Sequence, residues 1–210
     1  MRIDVFADVV CPWCYIGEAR LKQALQMQSQ LDVELVWHPF QLRPDLPPQG
    51  AEWGAFAAEK FGDQAEVVFD HVKTVGAAEG LHFDFSKVAS APNTSDAHRL
   101  ILYASQVNRS WEMATRLFEA YFSQGANLND HAQLAALASS VGFDANDVHS
   151  FLATSELAGI VSASQGQAYQ LGVSGVPFFI FAERYAVSGA QPVEVFNRAL
   201  DMANEAAPIS

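Results

Sequence analysis

Cys11 and Cys14 are the only cysteines among 210 residues, and they stand in the order Cys11-Pro12-Trp13-Cys14. Two thiols at that spacing can capture a substrate as a mixed disulfide and then release it, because the second sulfur lies within reach of the first. The chemistry needs an ionised attacking sulfur. A helix N-terminus favours one, since its free N–H groups and dipole bring a cysteine pKa from about 8.5 to roughly 3.5–7.5. Cys11 is therefore expected to be substantially ionised at neutral pH, with Cys14, one turn further in, shielded. Asp8 is the nearest carboxylate; its charge opposes an anion on Cys11, and the helix terminus is expected to outweigh it.

The flanking residues say what holds the pair in place. Residues 2–7 read as a central strand covered on both faces, and Pro12 suits a first helical turn, where its missing N–H costs nothing. Ile16, Leu21, Ala24 and Leu25 then recur at helical spacing, and Leu31 to Trp37 reads as a second strand. Pro39, Pro44, Pro47, Pro48 and Gly50 forbid a regular element over 39–50. From about Glu52 to Leu171 the apolar residues fall at helical spacing, with Gly142 and Gly172 placed for C-caps and Asn93 for an N-cap. Val176 to Phe181 reads as a strand, Glu183-Arg184 as a turn and Tyr185 to Val187 as its antiparallel partner. A last helix runs from Pro192 through Met202.

Strands at the two chain ends with helices between them require one sheet assembled from both termini. The expected architecture is α/β, a thioredoxin-like fold with an inserted α-helical domain: 1–45 and 165–210 form the discontinuous thioredoxin-like domain, and 46–164 the insertion.

Composition narrows the function. Half of the residues are apolar, enough for a core without disulfide staples. The formal charge is −12, from 24 acidic and 12 basic residues, so a phosphate backbone would be repelled and nucleic acid is not an expected partner. The N-terminal residues carry two acids and no cleavage pattern, and the longest apolar run, Val176 to Ala182, is too short to span a bilayer. The expected location is the cytosol, with no membrane partner. There a lone cysteine pair stays reduced unless it is transient, redox-active or metal-bound. Zinc would need four ligands, and His38, His71, His82, His98, His131 and His149 are scattered without metal-site spacing, so no metal is expected.

Several segments together resemble the DsbA-like thiol-disulfide oxidoreductases, in particular a cytosolic FrnE-like branch. They are Val10-Cys11-Pro12-Trp13-Cys14-Tyr15-Ile16-Gly17, Pro92-Asn93-Thr94 with Ala97-His98-Arg99, Gly172 to Phe179, and Ser188-Gly189-Ala190-Gln191. The resemblance implies that Cys11 is the nucleophile and Cys14 the resolving thiol. It also implies that Val176-Pro177 is a cis-proline loop packed beside the disulfide. It makes Trp13 the variable position that tunes redox poise, and an indole there implies a pair less oxidising than in periplasmic members. Many relatives carry a buried acid six residues before the first cysteine; Val5 stands there instead, which leaves the proton route from Cys14 open, with Asp8 the nearest carboxylate. His98 is expected either to line the site from the insertion or to be an ordinary core residue, and Asn93 either to join the site or to cap a helix.

The expected activity is exchange with thiol- or disulfide-containing proteins or small molecules, without a bound cofactor and with glutathione as a possible redox partner. Two alternatives remain at this point. One is a glutathione-dependent enzyme like the kappa-class transferases and hydroxychromene-carboxylate isomerases, which typically have a serine or a lone cysteine at the position of Cys11. The other is a chaperone-like binding module whose cysteines are incidental or redox-regulatory. Trp37, Phe40, Trp53, Phe56, Phe61, Phe83 and Phe85 are expected to be mostly core, with those on the proline-rich connection as a candidate peptide-binding surface.

Overall fold

Alternation along the first strand sets the architecture, which a computed structural model describes for residues 1–205. In β1 (Arg2–Ala7), Ile3, Val5 and Ala7 join the main core that contains both cysteines. Phe6 points the other way, into a smaller cluster with Phe40, Ala168 and Val173. A strand apolar on both faces must be covered on both, and helices do this. α1 (Pro12–Met27) carries the chain to β2 (Glu34–Pro39), which pairs parallel to β1. At the other end of the chain, β5 (Phe178–Phe181) pairs antiparallel to β1, β6 (Tyr185–Ser188) pairs antiparallel to β5, and α9 (Val193–Glu205) closes the unit. The four-stranded order is β2-β1-β5-β6. α9 packs on α1, β5 and β6, with Phe196 edge-on to Phe179 at 4.9 Å between ring centroids.

Strand β2 extends to Pro39, two residues past the expected end at Trp37. It is an edge strand, where a proline without an N–H leaves no ladder bond broken.

Between the two parts of the sheet lie β3 (Ala51–Glu52), α2 (Trp53–Phe61), α3 (Ala65–Ala78), β4 (Ser90–Ala91), α4 (Ser95–Ser105), α5 (Ser110–Gln124), α6 (His131–Ser140), α7 (Ala145–Leu152) and α8 (Ala158–Gln170). The short antiparallel pair β3–β4 is not visible in the helical periodicity, because two residues are too few to carry a pattern. α4, α5 and α8 all reach β2, so the helical block and the sheet share one core running from Ile3 and Ile16 through Phe118 to Leu134 and Val148. Arg99, 3% exposed, ties this block together: Nε donates to Glu156 O (2.7 Å) and Nη2 to Thr154 O (2.8 Å) and Phe151 O (3.2 Å), while Nη1 meets Asp96 (2.7 Å). A buried guanidinium is thus matched to the carbonyls at and beyond the C-terminus of α7. No helix among the described residues is long and apolar enough to cross a membrane.

Candidate active site

The chain leaves β1 at Ala7, turns through Asp8 to Val10, and enters α1 at Pro12. The turn is closed by the Cys11 N–H donating to Asp8 O (3.0 Å). Cys11 is the N-cap residue, extended at φ −94° and ψ 111°, and its side chain makes no capping bond. Its sulfur lies 3.7 Å from Val176 O. The N–H groups of Cys14 and Tyr15 go to the Cys11 carbonyl (3.0 and 3.3 Å), and Pro12 has none, so the Trp13 N–H is the first-turn donor that this carbonyl does not take.

Both cysteines are free thiols, Cys11 5% and Cys14 2% exposed. Burial pushes the Cys14 thiol well above its usual pKa, its hydrogen bond to Cys11 and the charge on Cys11 push the same way, and the Asp8 carboxylate adds to them. The backbone of Asp8 acts in the opposite direction. Burial and the neighbouring Cys11 thus favour the protonated Cys14 thiol.

The segment that faces Cys11 comes from the other end of the chain. The Val176–Pro177 peptide is cis, and the Pro177 carbonyl accepts the Gly189 N–H at 2.8 Å. Gly17 is what lets this loop approach α1: a Cβ there would stand 3.0 Å from Pro177 Cγ and 3.2 Å from the Phe179 ring.

Asp8 is fully buried and lines the cavity in front of Cys11. Its Oδ2 accepts the Leu42 N–H at 2.7 Å, which anchors the proline-rich connection beneath the site. Oδ1 stands 3.3 Å from His98 Nε2 without the alignment of a hydrogen bond, and neither atom has another partner among the described residues. The His98 ring is oriented by Trp37, whose Nε1–H donates to Nδ1 at 3.3 Å; the hydrogen of the imidazole is thereby assigned to Nε2, facing Asp8. His98 does not line the cavity. It sits behind Asp8, 0% exposed, and meets the site through that carboxylate. Val5, in the place where the resemblance put an acid, is packed into the apolar core.

Asn93 does not line the cavity either, and α4 starts two residues after it. Its Oδ1 accepts from Ser95 N (3.0 Å) and Gln41 Nε2 (3.2 Å), and its Nδ2 donates to Leu46 O (2.6 Å), so it staples the proline-rich connection to the start of α4. Pro12, Trp13 and Val176 all line the cavity, which has a volume of about 300 Å³. Trp13 also packs against His71 of α3, with centroids 5.6 Å apart.

Sequence reasoning missed most of the cavity wall: Val10, Leu42, Arg43, Leu46, Lys60, Phe69 and Tyr121. Of the seven aromatics expected to be mostly core, Trp37, Phe40 and Phe83 are buried core residues that do not line this cavity, while Trp53, Phe56, Phe61 and Phe85 line it. The buried Glu18 was also missed. Its signal was a carboxylate lying between Cys14 and Leu21 on the apolar stripe of α1.

The chain resembles known proteins in sequence and in fold. Residues 2–201 match the family model of the DSBA-like thioredoxin domain. The chain is 30% identical over 203 residues to YwbO of Bacillus subtilis, covering 95% of this chain and 96% of that protein. The crystal structure of a probable DsbA oxidoreductase, SCO1869 from Streptomyces coelicolor, superposes with a TM-score of 0.91 at 34% identity, covering 100% of this chain and 93% of the other. The cytosolic disulfide reductase DsbM from Pseudomonas aeruginosa, solved with GSH, shares the fold at a TM-score of 0.68 and 18% identity, over 98% of this chain and 100% of that one.

Proposed function

The chain belongs to the DSBA-like thioredoxin domain family, and from that premise we propose that it is a cytosolic protein that catalyses thiol–disulfide exchange through Cys11 and Cys14. The Cys11 thiolate attacks one sulfur of a substrate disulfide, the substrate S–S bond breaks, and one substrate thiolate leaves. Cys14 then gives up its proton and attacks Cys11, forming the Cys11–Cys14 disulfide and releasing the second substrate thiolate. Two electrons pass from the dithiol to the substrate, the Cys14 proton ends on a departing substrate thiolate or in solvent, and two equivalents of an external thiol such as glutathione, released as their disulfide, restore the pair. The reverse sequence oxidises a dithiol substrate.

The observation that carries this reading is the asymmetry of the pair. Cys11 caps the helix and lines the cavity, while Cys14 does not line it and is buried on the same helix, where burial above all pushes its thiol well above the usual pKa. A glutathione transferase-like enzyme would leave Cys14 without a role, and a binding module with redox-regulatory cysteines would keep its main activity when either cysteine is replaced. Cys11→Ser is expected to abolish turnover of a disulfide substrate, and Cys14→Ser to accumulate mixed disulfides detectable by intact-protein mass spectrometry. Full steady-state turnover of a small disulfide by either variant, with an external thiol as reductant, would refute the assignment.

A further inference from the structure

We propose that the cavity in front of Cys11 selects small disulfides with an apolar, preferably aromatic, body next to the sulfur and an anionic group at the outer end. This rests on the exchange reading and adds the substrate class to it. The Cys11 sulfur belongs to a side chain only 5% exposed, and the cavity is the space in front of it. A volume of about 300 Å³ is at the lower end for small-molecule pockets. Trp53, Phe69 and Phe85 form one wall as a mutually stacked set, with centroids 5.6, 4.6 and 6.2 Å apart, and Trp13 lines the same space from α1. Such a wall is formed before the ligand arrives, so little ordering cost falls on binding.

At the inner end, among the described residues, Asp8 Oδ1 is the buried side-chain atom left without a hydrogen bond, and it faces His98 at 3.3 Å. Asp8 Oδ2 is taken by the Leu42 N–H, and the Tyr121 hydroxyl donates to Ser90 O at 3.1 Å. Peptide amides or the polar body of a tripeptide would lose water there and find few partners. The buried Asp8 charge also repels an anion from the inner end, which sends the charged end of a ligand outward.

Two cations stand at the outer end. Arg43 is engaged by Asp45 (3.1 Å) and Glu59 (3.8 Å). Lys60 has no carboxylate partner among the described residues, and its Nζ lies 5.5 Å from the centroids of both Phe56 and Phe61. In a chain of charge −12 this is a local positive point over an aromatic floor, placed to meet a carboxylate.

The test is the single-turnover rate of the reduced protein with three disulfides. They are 5,5′-dithiobis(2-nitrobenzoate), aromatic with a carboxylate; 4,4′-dithiodipyridine, aromatic and neutral; and oxidised glutathione. Each rate is divided by that of free N-acetylcysteine to remove intrinsic reactivity. Both aromatic disulfides are expected to exceed oxidised glutathione by on the order of tenfold. Lys60→Gln is expected to lower the ratio of the carboxylated to the neutral rate by about fivefold. Equal normalised rates for oxidised glutathione and the aromatics, or an unchanged ratio in Lys60→Gln, would overturn the proposal. Binding of the S-methyl thioether of 5-thio-2-nitrobenzoate to the Cys11→Ser, Cys14→Ser double variant, read by tryptophan quenching, needs no exchange. If the thioether binds and Lys60→Gln weakens it while no disulfide reacts, the exchange reading fails and the pocket assignment stands. If exchange proceeds and the thioether does not bind, the pocket assignment fails alone.

Discussion

Glu18 lies one turn beyond Cys14 on the same helix, and its protonation should set how stability depends on pH. The side chain is buried against α5, where the Thr115 hydroxyl donates to Oε1, and Oε2 has no partner among the described residues. Burial raises its pKa from 4.5 to about 8, against the lowering effects of the Thr115 bond and the Lys22 charge. The folded protein therefore holds this proton over a range in which the unfolded chain has released it. The contribution to stability is fully present below pH 4.5 and is lost as pH rises toward about 8. The slope is about 1.4 kcal/mol per pH unit, and the whole effect is of the order of 4–5 kcal/mol. Glu18→Gln reproduces the neutral acid and keeps an acceptor for Thr115. Relative to the parent, the variant should gain stability steadily with pH and level off above about pH 8. Urea unfolding of both proteins between about pH 5 and pH 9 measures this difference directly. A constant difference across that range, or a variant less stable at the alkaline end, would refute the reasoning.

Other substitutions probe the remaining supports of the site. Gly17→Ala should gain about 1 kcal/mol of helix propensity but lose about 1–3 kcal/mol to overpacking against Pro177 and Phe179. Single-turnover exchange should slow while helix content by circular dichroism stays the same, and an equally fast variant would show that the close approach is unimportant. Arg99→Met leaves the carbonyls around the end of α7 without their donor and should cost about 3 kcal/mol, lowering the thermal midpoint by roughly 6–12 °C. A midpoint unchanged in calorimetry would contradict that. Asp8→Asn removes a charge that raises the Cys14 pKa but can still accept the Leu42 N–H. In a Cys11→Ser background the Cys14 thiol should then titrate at lower pH by thiolate absorbance, and an unmoved titration would separate Asp8 from Cys14.

Local chemistry in the chain determined where the reaction sits. A cysteine pair around Pro12, a β-rich run before it and helical spacing after it are all properties of adjacent residues, so the strand-to-helix junction was legible without a structure. The same holds for the antiparallel ending, read as Val176–Phe181 with Tyr185–Val187 and found at Phe178–Phe181 with Tyr185–Ser188, where a short turn leaves one pairing open, and for the long helical stretch between the two parts of the sheet. What surrounds the sulfurs was decided by tertiary structure alone. Asp8 meets Leu42 and His98, His98 is turned by Trp37, and Cys11 faces Val176 from 165 residues away. Periodicity places a residue on a face of its own element but does not say which distant element covers that face. Whether a carboxylate such as Asp8 or Glu18 is charged, paired or stranded depends on that covering, because burial sets the cost of its charge and the neighbours set the compensation.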